Sequence, residues 1–143
     1  ARHAAMKIAH ISGHYDLTGS EFERHYRPEI DEAIAHGDHF IVGDANGADF
    51  SAQQYLFACL GASDRVRVFH MLDRPRHNAG FATVGGFDSD EQRNEAMTRQ
   101  SDYDIAWVRH GFEHAGTARN LARRQRQIAT ADGVPPAPRR ATG

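Results

Sequence analysis

Hydrophobic residues along this chain fall into short β-branched runs separated by longer stretches with helical spacing, an alternation that predicts strands and helices in turn. The run Met6-Lys7-Ile8-Ala9-His10-Ile11-Ser12 stops at Gly13 and reads as a buried strand ending in a turn. Phe22, Tyr26, Ile30, Ala33 and Ile34 then share one helical face. Ser20, with Glu23 three residues on, reads as the capping box of that helix, Pro28 predicts a kink inside it, and Gly37 its end. His39-Phe40-Ile41-Val42 is a second strand, followed by a glycine-bearing loop and a helix that runs to about Leu60 and stops at Gly61. Residues 65–71 alternate and form a third strand, whereas residues 72–88 show no period. Asp88-Ser89-Asp90 can cap a third helix reaching about Gln100, residues 103–108 are a fourth strand, and Gly116-Thr117 opens a last helix that runs to about Ala131.

Strands alternating with helices imply βαβ units. The chain is expected to be an α/β protein: a three-layer Rossmann-like domain over residues 6–131 with a parallel sheet of four or more strands. Residues 1–5 read as an extraneous or disordered start and residues 132–143 as a disordered basic tail. Ligands of such sheets bind beyond the carboxyl ends of the strands, where the strand order reverses. That edge receives three loops: Gly13-His14, Gly43 to Asp49, and Gly111 to Thr117.

Composition narrows the class. With 40% hydrophobic and 25% charged residues the chain has material for a real core, which excludes wholesale disorder. It holds no apolar run long enough for a membrane span and no secretory leader pattern, and its single cysteine, Cys59, cannot form an internal disulfide. A soluble, cytoplasmic protein without a membrane partner is expected. Net charge is -2, but residues 118–143 carry six arginines against one aspartate. A basic tail of this kind either sits in solvent or attracts nucleic acid, and no aromatic residues are interleaved with its arginines.

The candidate chemistry lies in the loops. Gly43-Asp44-Ala45-Asn46-Gly47-Ala48-Asp49 connects a strand to a helix, the context in which free N–H groups and the helix dipole cradle a phosphate. Asp44 and Asp49 would repel that phosphate if aimed at it, and instead cap the helix or bind a ribose hydroxyl. Gly116 and Thr117 offer backbone donors and a hydroxyl at a second helix start, and Arg93, beside Asn94 and sharing a face with Met97, offers a guanidinium fork. The ten histidines form no metal-binding frame, so neither a metal nor a cofactor is expected. Cys59 reads as a buried structural thiol among Leu56, Phe57 and Leu60. Residues 72–88, with Arg74, Arg76 and His77, read either as a flap over the ligand or as an excursion pinned by Phe81, Val84 and Phe87.

In this order the motifs become recognisable. Ile11-Ser12-Gly13-His14, Gly43 to Asp49, Arg93-Asn94-Glu95-Ala96-Met97, Asp104-Ile105-Ala106-Trp107 and Gly116-Thr117-Ala118 together resemble the SLOG superfamily of Rossmann-like proteins, which includes DprA and the LONELY GUY-type phosphoribohydrolases. The chain looks most like the YspA-related branch. The resemblance implies a nucleotide-type ligand, ADP-ribose-like molecules included, and a homodimer. It implies a site of Gly13, His14, Gly43, Asp44, Ala45, Asn46, Gly47, Asp49, Arg93, Asn94, Gly116 and Thr117. If the protein is an enzyme, the implied reaction is cleavage or transfer at the N-glycosidic bond of a nucleoside monophosphate, with Arg93 acting beside a carboxylate such as Asp44, Asp49 or Glu113. In LONELY GUY-like enzymes a glutamate follows three residues after the threonine, where this chain has Asn120. A nucleic-acid-binding module using the basic tail is a third expectation, marked by salt-dependent DNA binding that is lost when residues 133–143 are removed.

Overall fold

A computed structural model describes residues 5–113 and 115–131; residues 1–4 of the expected start (1–5), the expected tail (132–143) and His114 lie outside the described residues. Strands β1 (Ile8–Ile11), β2 (His39–Gly43), β3 (Val66–Met71), β4 (Ala82–Phe87) and β5 (Tyr103–Ile105) form one sheet in the order β4-β3-β2-β1-β5. All four pairings are parallel. Helices α1 (Gly19–His25), α2 (Arg27–His36), α3 (Ala48–Leu60), α4 (Asp90–Arg99) and α5 (Gly116–Ala131) flank it. The fold is the expected three-layer Rossmann-like α/β domain.

Side-chain alternation along the strands separates two cores. Ala9, Ile11, Phe40, Val42, Val66, Val68 and Ile105 pack beneath Phe22, Tyr26, Ile30, Ala52 and Leu56 of α1, α2 and α3. On the opposite face Ile41 and Phe69 meet Ala96 and Met97 of α4. That second core is small because polar side chains, His10 and Asp104, take positions beside it.

Local details depart from the expected elements for identifiable reasons. The capping box is Thr18–Glu21, not Ser20–Glu23: Glu21 N–H donates to Thr18 Oγ1 at 3.1 Å and Thr18 N–H to Glu21 Oε1 at 3.0 Å. Both frames match the pattern, but only the Thr18 frame puts apolar residues, Leu17 and Phe22, at the staple positions either side of the cap. The single kinked helix is two helices, broken at Tyr26, with Pro28 in the first turn of the second, where a missing N–H is harmless. The last strand ends at Ile105 rather than Val108, because the chain leaves the sheet to bond side chains. Trp107 N–H donates to the Tyr26 hydroxyl at 3.1 Å and Arg109 N–H to His14 Nε2 at 2.8 Å. Cys59 is exposed, not buried: Ala52 and Leu56 take the sheet-facing positions of α3 and Cys59 lies outward in its last turn.

Residues 72–88 contain β4, an edge strand added without an intervening helix. The link is fastened at several points. Gln53 Nε2 donates to His77 O, Ala79 N–H donates to Gln53 Oε1 at 2.9 Å, and Phe81 is buried edge-on to Phe57. Val84 and Phe87 lean on the second core.

Candidate functional site

Strand β1 sits where the strand order reverses, with β2 on one side and β5 on the other. Beyond its carboxyl end opens a cleft of about 370 Å³. The exit of β1 supplies Gly13, His14, Tyr15 and Asp16; the β2–α3 loop supplies Gly43, Ala45 and Asp49. Arg93, Asn94 and Met97 enter from α4, and Gly116, Thr117, Arg119 and Asn120 from the first turns of α5. Three loops far apart in sequence thus meet at one edge, as the βαβ pattern requires. Asp44, Asn46, Gly47 and Glu113 do not line the cleft: Asn46 and Glu113 are exposed, and Asp44 and Gly47 hold the loop from behind.

Gly47 shows how the loop is held. It precedes α3 with φ 73° and ψ -123°, and a Cβ there would fall 2.3 Å from the Tyr15 carbonyl oxygen and 2.4 Å from that of His14. The next residue, Ala48, donates its N–H to His14 O at 3.0 Å. The β2–α3 loop and the exit of β1 are therefore fastened backbone to backbone, an approach that glycine permits. Gly47→Ala is expected to destabilise the fold by about 2–3 kcal/mol, since both backbone strain and the carbonyl clash must be relieved. Thermal unfolding checks this, and an unchanged midpoint would refute it.

Asp44, only 1% exposed, is clamped by two arginines. Its Oδ1 accepts from Arg93 Nη1 at 2.7 Å and Arg76 Nη2 at 3.0 Å, and its Oδ2 accepts from the Arg76 backbone N–H at 2.8 Å. Burial pushes its carboxyl pKa up, but the Arg76 hydrogen bonds and the charges of Arg76 and Arg93 outweigh it, and the group is held below the ordinary carboxylate range. Arg93, itself buried, also lies 3.3 Å from Asp90 Oδ1. Asp44 thus fixes Arg93 at the cleft wall rather than meeting a ligand.

Asp49 does line the cleft. Its Oδ2 turns back to accept from Ala45 N–H at 3.2 Å, and Gly43 has no Cβ because that carboxyl fills the space, 2.4 Å from where the atom would stand. Burial, opposed by the Arg93 charge, raises its pKa to about 7. Near neutral pH this carboxyl is therefore about half protonated, which lessens its repulsion toward an anion.

Sequence reasoning passed over several cleft residues. His10, on β1, lines the floor with Nδ1 3.2 Å from Asp104 Oδ1. Arg76, from the segment expected to be either flap or excursion, reaches the cleft as well as Asp44. Tyr15 and Phe112 stand at the rim, 76% and 44% exposed. Beside them, Arg109 lies over the Phe112 ring at 5.3 Å and is held by Glu21 (2.8 Å) and Asp16 (3.1 Å). His14 meets Phe112 and Trp107 edge-on, and because its Nε2 accepts from Arg109 N–H, its ring serves to shape the wall. A strand residue inside an apolar run and exposed aromatics in loops carry no local motif, so only the sheet topology could have found them.

Four buried side-chain polar atoms among the described residues lack a hydrogen-bond partner: His10 Nδ1, Ser12 Oγ, Arg93 Nε and Thr98 Oγ1. Three of the four belong to residues that line this one cleft, and of these His10 Nδ1 faces Asp104 Oδ1 while Ser12 Oγ and Arg93 Nε face no partner. Native interiors leave few such groups, so each asks for an explanation. The described residues contain no helix long and apolar enough to cross a membrane and no group of three or more residues placed to hold a metal ion. Compared with protein-family models, with curated proteins and with solved structures, the chain matches none.

Proposed function

We propose that the protein binds a nucleotide or nucleoside phosphate in this cleft. The observation that carries the reading is the convergence of buried polar side chains, with Ser12 Oγ and Arg93 Nε unpartnered, on a cleft at the reversal of strand order. The start of α5 at Gly116 and Thr117 directs partial positive charge into it, and Arg93 and Arg76 add guanidinium donors for a phosphate. Tyr15 and Phe112 offer exposed ring faces at the rim for a planar base. The resemblance to the SLOG superfamily supports the same class of ligand.

Calorimetric titration with AMP, ADP, ADP-ribose and inorganic phosphate tests the reading. At least one of the nucleotides is expected to bind, and Tyr15→Ala to weaken AMP about tenfold through loss of base stacking while leaving inorganic phosphate unchanged. Folded protein that binds none of them would overturn it.

One observation favours cleavage of the bound ligand as a second reading. Of the three carboxylates the sequence offers for that chemistry, Asp49 alone lines the cleft, and a pKa of about 7 suits it to give a proton to a departing base. Release of free adenine from AMP, lost in Asp49→Asn while AMP still binds, would establish it.

A further inference from the structure

His10 on β1 and Ser12, which follows the strand and still donates its N–H to Ile105 O, lie two apart and so project from the same face of the sheet, toward α4 and α5. His10 is 1% exposed and yet lines the cleft. Behind it stands a fixed support. Asp104 Oδ1 lies 3.2 Å from His10 Nδ1, and Arg124 grips both Asp104 oxygens at 3.2 Å through Nε and Nη2. Arg124 is anchored in turn on the carbonyls of Thr98 (3.1 Å) and Ser101 (2.8 Å). A carboxylate accepts hydrogen bonds and donates none, so it places the imidazole proton on Nδ1. Burial lowers the imidazole pKa more than Asp104 restores it, and the ring is neutral. Nε2 is then a lone pair, and no hydrogen bond from the described residues reaches it.

This acceptor stands on the floor of a cleft that also holds the donors Arg76, Arg93 and the start of α5, with the carboxylates Asp16, Asp49 and Asp90 elsewhere on its wall. A phosphomonoester dianion satisfies those donors, but it carries no proton to offer Nε2 and would meet the lone pair with its own. The ligand must bring a donor to that point.

We propose that His10, positioned by Asp104 and Arg124, is a specificity-determining residue whose Nε2 accepts a hydrogen bond from a sugar hydroxyl of the ligand. The cleft then selects a phosphorylated sugar or nucleoside phosphate over a phosphate ester that lacks that hydroxyl, an inference that rests on the nucleotide reading above. Ser12, buried on the same strand face with its hydroxyl unpartnered, is placed to join that contact.

Two measurements test it. Nitrogen–proton correlation spectra of the unliganded wild-type protein at pH 7 should show His10 as the neutral Nδ1–H tautomer. An Nε2–H tautomer or an imidazolium would overturn the proposal without reference to any ligand. Titration with AMP and with 2′,3′-dideoxy-AMP, which share phosphate and base, should show AMP binding about tenfold tighter. His10→Phe should abolish that preference and leave the dideoxy affinity in place. Equal wild-type affinities for the two would overturn the role of His10 while the nucleotide reading stood. Failure of both to bind folded protein would overturn that reading and the sugar contact with it.

Discussion

Asp44→Ala is expected to destabilise the protein by about 3–5 kcal/mol, because it leaves the buried Arg93 guanidinium without its closest counter-charge. Arg93 keeps Asp90, but that carboxylate is largely exposed and its attraction is weakened by solvent. Arg76 loses its hydrogen bonds to the Asp44 carboxylate as well, and with them a tie between the β3–β4 link and the β2–α3 loop. Urea unfolding followed by circular dichroism measures the loss. The cause can be isolated by adding Arg93→Met: with both charges gone, much of the stability should return, since an apolar pair of similar volume removes the stranded charge. A single variant within about 1 kcal/mol of wild type, or a double variant worse than the single one, would contradict this account.

The same pair shows where sequence reasoning stops. Asp44 and Arg93 each stood out locally, the first as a ribose or catalytic carboxylate and the second as a phosphate clamp. Nothing local says that they bond each other across 49 positions, with Arg76 completing the clamp 32 positions from Asp44. Element type was legible where burial imposes a period: β1, β2, β3 and the helices follow from their apolar spacing, and the parallel sheet follows from their alternation. β4 was not legible. Ala82-Thr83-Val84-Gly85-Gly86-Phe87 lies at the sheet edge with much of both faces in solvent, so no alternation is imposed on it. The loop edge was found by topology alone, and His10 was missed because a histidine within an apolar run looks like an interruption of the core. In the structure the sheet face around it is polar, shared with Asp104 and Arg124.

Asp49 should make the protein less stable as pH rises from about 4 to about 7. Folding raises its pKa from 3.8 to about 7, so in that window the native state holds a proton that the unfolded chain has released. Stability falls with pH wherever the native state binds more protons. The contribution is therefore fully present below pH 3.8, is lost as pH passes through about 7, and amounts to roughly 4 kcal/mol across the window. Asp44, whose pKa is lowered, works in the opposite direction, so the wild-type profile alone cannot isolate Asp49. Asp49→Asn can, because an amide keeps the shape and an oxygen acceptor for Ala45 N–H but has no proton to lose. The two proteins should differ little at pH 4, and the variant should be more stable by several kcal/mol at pH 8. Parallel curves from pH 4 to pH 8 would show that Asp49 is ionised in the fold throughout. The same titration bears on the cleft: ionising Asp49 places a negative charge beside Arg93, so AMP should bind more weakly to wild type at pH 8 than at pH 6. In Asp49→Asn that part of the pH dependence should disappear.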